Sequence, residues 1–263
     1  MADITELCDD LTAESAEVDA LVADLPDGTW AAATPAAGWT IAHQIAHLHW
    51  TDTTALKSIT DVDAFGLDLA IAATDPAGFV DQFASASLRP PAELLPAWRD
   101  SRSALVKALL EAPREQRLPW YGVTMSPVSM ATGRLMETWA HGQDIADTLR
   151  AGREPTARLR HIVFLALRTF EFSFAIHDRR VPAERVRLEL TAPDGRLWTF
   201  GPDHAADLIT GTALDFCLIA TQRRHRDDVN LDAAGPIARD WLEVVQAFAG
   251  PPGTGRDPLA KGA

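Results

Sequence analysis

A chain of 263 residues, 47% of them apolar, suits one large or two modest domains with a real core. Its formal charge of −13 makes nucleic acid and anionic membrane poor partners, and it holds no apolar run long enough to span a bilayer. The acidic start lacks the basic-then-apolar layout of a signal peptide, and Cys8 and Cys217 form neither a disulfide framework nor a Cys-x-x-Cys knuckle, so a soluble cytoplasmic protein is expected.

In chain order, Ile4, Leu7, Leu11, Val18, Leu21, Val22 and Leu25 recur at helical spacing and predict a first helix over 3–25, ended by Pro26, Asp27 and Gly28. Residues 29–38 read as a small-residue loop carrying Trp30 and Pro35. Thr40 is suited to cap a second helix over 40–60, with Ile41, Ile45 and Leu48 as its apolar stripe. From 61 to 90 short helical patches alternate with turns, an excursion that could serve as a lid over the mouth of a helical bundle. Pro90 and Pro91 open a third helix over 90–110, with Leu94, Leu95, Trp98, Leu105 and Leu109 facing inward. Residues 111–130 read as a loop, with Ser126 and Ser129 placed to cap the helix that follows. That fourth helix ends near Gly152, where a domain boundary is expected. A phenylalanine-rich helix over 156–178 comes next. The alternation of 185–191, the turn at Pro193 to Gly195 and the resumption at 196–200 then predict a β-hairpin. Another short extended piece begins at Ile209, followed by helices over 212–224 and 233–249 and a disordered tail over 251–263. The fold class is therefore α+β: a helical domain over 1–152 and a smaller α+β domain over 153–250.

Two helices carry chemistry. Glu137 and His141 sit four residues apart and project from one helix face, a ready pair of metal ligands. Asp144, one turn on, could orient His141 through its second ring nitrogen. Upstream, His43 and His47 share a face of the second helix, while His49 points elsewhere. Ligands from separate helices converging in a bundle core would make a metal site; capped core histidines and surface i,i+4 pairs are the plain alternatives. Trp120 and Tyr121, in an aromatic loop, could form a substrate wall, with the Tyr121 hydroxyl donating to a developing oxyanion; a packed connector is the alternative. No Gly-x-Ser-x-Gly elbow and no phosphate-binding glycine loop is present.

The motifs Gly-Trp-Thr-x4-Ile-Ala-His-Leu around 38–48, Leu-Pro-Trp-Tyr-Gly over 118–122, Met125-Ser126, and Arg-Leu-Met-Glu-Thr-Trp-Ala-His-Gly-Gln-Asp-Ile-Ala-Asp over 134–147 resemble the DinB-like metal-binding superfamily. The nearer resemblance is to its mycothiol-dependent maleylpyruvate isomerase branch, in an actinobacterial group known for metal binding. It implies a four-helix bundle and, residue by residue, the metal ligands His47, Glu137 and His141, leaving coordination positions open as in a catalytic site. His43 then stands as a group near the metal or the substrate. Zinc is the first expectation, although nickel and iron accept the same donors. The resemblance also implies that the second half is a sterol-carrier-like domain. An arginine of that domain contributes to the related isomerase's active site. Arg223 and Arg224 are the nearest equivalents, a catalytic and a cofactor-binding candidate respectively, with Trp120 also a cofactor-binding candidate. A solvated basic helix end is the plain reading of the two arginines. The implied activity is that of a mycothiol-linked isomerase or S-transferase acting on a small electrophilic or carbonyl-containing molecule. A thiol-independent Lewis-acid isomerase, cyclase or hydrolase, and a binding protein without turnover, are the alternatives. A monomer is the default, a homodimer the alternative.

Overall fold

Asp3 accepts a hydrogen bond from the Thr5 amide and so caps helix α1, Ile4–Val22, in the computed structural model, which describes residues 3–248 and 250–259. The chain divides after Gly152 into two compact units. In the first, α1 buries Leu7, Leu11, Val18 and Val22 along one stripe and stops short of the expected residue 25, because Pro26 starts a 3-10 turn that buries Trp30. Helix α2, Ile41–Thr60, begins at Thr40. The excursion resolves into two short helices, α3 (Val62–Ala72) and α4 (Phe79–Ala86), both packed on α2. Helix α5, Pro91–Glu111, opens on its proline.

The stretch expected as a loop over 111–130 instead contains a small antiparallel hairpin, β1 (Leu118–Trp120) with β2 (Val123–Met125). Its turn is Tyr121-Gly122, and Gly122 takes φ +74°, a conformation open to glycine without strain. Pro119 and strands of three residues each gave no local strand signal. Helix α6, Pro127–Leu149, is capped by Ser126, whose side chain accepts the Ser129 amide at 3.1 Å, and it ends on Arg150 at φ 53°. Around the bundle the neighbours run α1, α6, α2, α5. Val18, Trp30, Ile41, Ile45, Leu48, Leu94, Trp98 and Ile145 fill its core.

In the second unit the expected long helix is two: α7 (Leu159–Arg168) and α8 (Phe170–Ile176). Thr169 separates them, and its hydroxyl donates to the Gln246 carbonyl at 2.6 Å, a partner distant in sequence. Phe170 and Phe174 are core; Phe164 and Phe172 are exposed. Strands β3 (Arg187–Thr191) and β4 (Leu197–Phe200) form the expected hairpin. Strand β5 (Leu208–Thr212) joins β3 in parallel, helix α9 spans Ala213–Ala220, and β6 (Leu231–Ala234) pairs antiparallel with β5, giving the order β4-β3-β5-β6. The last helix, α10, is Pro236–Val244. It starts later than residue 233 because Leu231–Ala234 belong to the sheet, and the Asp207 carboxylate, not a residue of the helix, caps it by accepting the Ala238 amide at 2.9 Å. Beyond it, residues 250–258 carry no helix or strand, and the Leu259 amide donates to Asp228 at 2.9 Å. The last residue expected for the final helix, 249, and the end of the tail, 260–263, lie outside the described residues. The chain is thus a mixed α+β protein, and no helix among its described residues is long and apolar enough to cross a membrane.

Candidate metal centre

Helices α2 and α6 pack side by side, and their contact places three polar side chains at one point. His47 Nε2 lies 3.3 Å from Glu137 Oε2, and His141 Nε2 lies 3.1 Å from the same oxygen. The two imidazole centroids are 4.4 Å apart. One ligand atom from each residue falls within 4.8 Å of the others. Two imidazole nitrogens and one carboxylate oxygen, so converged, could hold a divalent cation with coordination positions to spare. The imidazoles are nearly closed off, with side chains 8% and 10% exposed, while Glu137 at 26% forms the open side. Burial by itself would raise the Glu137 carboxyl, but hydrogen bonds from His141 and His47, and their charges, hold it well below the usual carboxylate range. Glu137 therefore stays ionised between the two imidazoles.

Behind His141, Nδ1 meets Gln44 Oε1, where Asp144 was expected; Asp144 itself is fully buried. Above the imidazoles lies Trp39, whose ring stacks on His141 (centroids 5.8 Å, planes 18° apart) and contacts His47 at 5.3 Å. Its indole nitrogen donates to Asp81 of α4 at 2.8 Å, so the excursion holds the cover in place. Neither Trp39 nor Gln44 stood out in the sequence as a site residue. Trp39 sat within a recognised motif, whereas a glutamine in a helix gives no local signal.

From His47 an aromatic wall runs outward. Trp50 meets His47 edge-on at 5.5 Å and stacks on Phe83 at 5.1 Å. Tyr121 contacts Trp50, Phe65 and Phe79, and Trp120 stacks on Phe65 at 6.1 Å. The hairpin turn thus brings Tyr121 one ring away from His47, with Trp120 further out. Burial pushes the Tyr121 hydroxyl up to about 12, so it keeps its proton near neutrality and has one to donate.

His43 takes another part. Its amide donates to Thr40 Oγ1 at 3.4 Å and its Nδ1 accepts the Thr40 amide at 3.3 Å, a capping box at the start of α2. Thr40→Ala is expected to lower stability by about 1 kcal/mol in chemical denaturation. Arg223 and Arg224 belong to the second unit, just past α9, where their guanidinium groups donate to the carbonyls of Thr221 and Arg223. Both cysteines are buried: desolvation raises Cys8 to about 11 and Cys217 well above the ordinary thiol range. Neither should react with a thiol reagent in mildly alkaline native buffer, and both should react after unfolding; rapid native labelling of either would contradict this packing.

A helical bundle bearing a two-histidine, one-carboxylate cluster, followed by an α+β unit, defines the class. The chain belongs to the mycothiol maleylpyruvate isomerase family, whose N-terminal domain matches residues 11–146, just over half of its length. Uncharacterized proteins from two strains of Mycobacterium tuberculosis are each 50% identical to it over 257 residues, 97% of this chain and 100% of theirs. A solved structure of the mycothiol-dependent maleylpyruvate isomerase matches with TM-score 0.59 at 16% identity, covering 88% of this chain and 93% of that one. A histidine-to-alanine mutant of that enzyme matches with TM-score 0.59 at 15% identity. These structural matches establish a shared fold.

Proposed function

We propose that this protein is a metal-dependent, cytoplasmic enzyme of the mycothiol-dependent isomerase or S-transferase type, acting on a small electrophilic or carbonyl-containing substrate. The observation that carries the reading is the convergence of His47, Glu137 and His141 within 4.8 Å in a chain of this family. The donor set fits a divalent cation, zinc first. Once bound, such a cation would favour the thiolate form of mycothiol and polarise a substrate carbonyl, the chemistry that thiol-dependent isomerisation or transfer requires.

The chain's own residues supply the rest. His47 and His141 would bind through Nε2, and Glu137 would neutralise part of the charge. Trp39 and Trp50 exclude water from the imidazole side. Tyr121 holds a proton that a substrate oxygen could accept. Both cysteine thiols are buried and desolvation holds them protonated, which fits a thiol cofactor supplied from outside.

The test is turnover of maleylpyruvate and of simple thiol-reactive electrophiles by zinc-loaded protein, with and without mycothiol. Consumption that requires mycothiol supports the proposal. Consumption indifferent to mycothiol would replace it with Lewis-acid chemistry alone, and metal binding without any turnover would favour a binding role.

A further inference from the structure

Gln44 is fully buried on α2 and meets His141 Nδ1 across the helix contact. Its amide is oriented from the other end. Gln44 Nε2 is 2.8 Å from Thr34 Oγ1, and the Thr34 hydroxyl lies 3.0 Å from the Trp39 carbonyl, which can only accept. A hydroxyl has one hydrogen, so Thr34 gives it to that carbonyl and can only accept from Gln44. The group facing Thr34 is therefore the NH2 of the amide, and the carbonyl oxygen faces His141. That oxygen accepts, so the proton sits on His141 Nδ1, and Nε2 is the nitrogen directed at Glu137. His47 has no equivalent support: its Nδ1 is buried with no hydrogen-bond partner among the described residues.

We infer that Gln44 is a positioning residue for this site, fixing the ring orientation and the protonated nitrogen of His141 so that Nε2 is presented as a metal ligand. The inference rests on the metal-binding reading above. Outer partners of this kind orient ligating imidazoles and strengthen metal binding.

The experiment is zinc affinity of the full chain, by competition with a chromophoric chelator, for the wild type, Gln44→Met and Gln44→Glu, with helix content checked for each. Methionine keeps the length and fills the space but offers only a weak acceptor; a glutamate carboxylate accepts strongly. Gln44→Met is expected to bind zinc about 10–100-fold more weakly, with Gln44→Glu restoring most of the loss. Nitrogen-15 NMR of the imidazoles gives a second readout. A hydrogen-bonded Nδ1–H of His141 is expected in the wild type with or without metal, absent in Gln44→Met and present again in Gln44→Glu. Wild-type affinity in Gln44→Met, or a Nδ1–H signal unchanged by that substitution, would overturn the inference. A wild type that binds no zinc would defeat the metal reading instead, leaving the Nδ1–H signal to decide the role of Gln44.

Discussion

Replacing His141 or His47 with alanine is expected to abolish divalent-metal retention while leaving the helical bundle folded. Each substitution takes away one of the three ligand atoms that converge among the described residues. The loss should exceed the about 10–100-fold attached to partners that merely orient a ligand. The fold should survive because the core of the bundle is made elsewhere, by Ile41, Ile45, Leu48, Trp98 and Ile145, and because alanine favours the helix. His49→Ala serves as the control: His49 lies on the same helix but bonds Ser101 at 3.0 Å, so metal content should not change. Elemental analysis after dialysis, with circular dichroism for helix content, reads both halves of the expectation. Unchanged metal content in both ligand variants would remove the triad assignment.

The second large effect is on stability. Asp52 of α2 and Arg134 of α6 form an ion pair at 2.9 Å, with side chains only 5% and 3% exposed. The other carboxylate oxygen of Asp52 accepts the indole N–H of Trp98 at 3.1 Å. Removing one partner of a buried pair leaves the other charge without compensation, at a cost of about 3–5 kcal/mol. Asp52→Ala strands Arg134 and the Trp98 indole together, so the upper part of that range is expected. For a unit of this size each kcal/mol lowers the midpoint by roughly 2–4 °C, so thermal unfolding should begin well below the wild type. The paired replacement Asp52→Leu with Arg134→Met should recover part of the loss, since apolar residues of similar volume substitute well for buried ion pairs. What would remain is the unpaired Trp98 indole, about 1–3 kcal/mol. A drop of a degree or two in Asp52→Ala would show that water reaches the pair. Arg134 also lies one turn before Glu137, so the pair bridges α2 and α6 next to the ligand cluster.

The helices that carry the site were legible because their signals are local. Apolar residues at period 3.6, Thr40 and Ser126 as caps, and prolines at helix starts all act within a few residues. The spacing that puts Glu137 and His141 on one face is equally local, and His47 came from the matching motif. The features that escaped notice depend on distant partners. Thr169 breaks the long helix where the Gln246 carbonyl meets its hydroxyl. Ala233 and Ala234, expected at the start of the last helix, belong instead to strand β6, paired on the edge that β5 offers. Around the site, sequence proximity pointed to Asp144 as a partner of His141, whereas its Nδ1 meets Gln44 of α2. His43 shares a face with His47, yet its ring completes the helix cap. Trp39 covers the imidazoles with its indole held by Asp81, on a separate short helix.

The most direct measurement is metal content of the purified chain together with calorimetric titration of mycothiol. About one divalent cation per chain, and thiol heat that vanishes when the cation is removed, is the expected result for an open three-ligand site. Absence of metal after reconstitution with zinc, nickel and iron would contradict the account, leaving His47, Glu137 and His141 as a buried hydrogen-bonded cluster in a bundle of this fold.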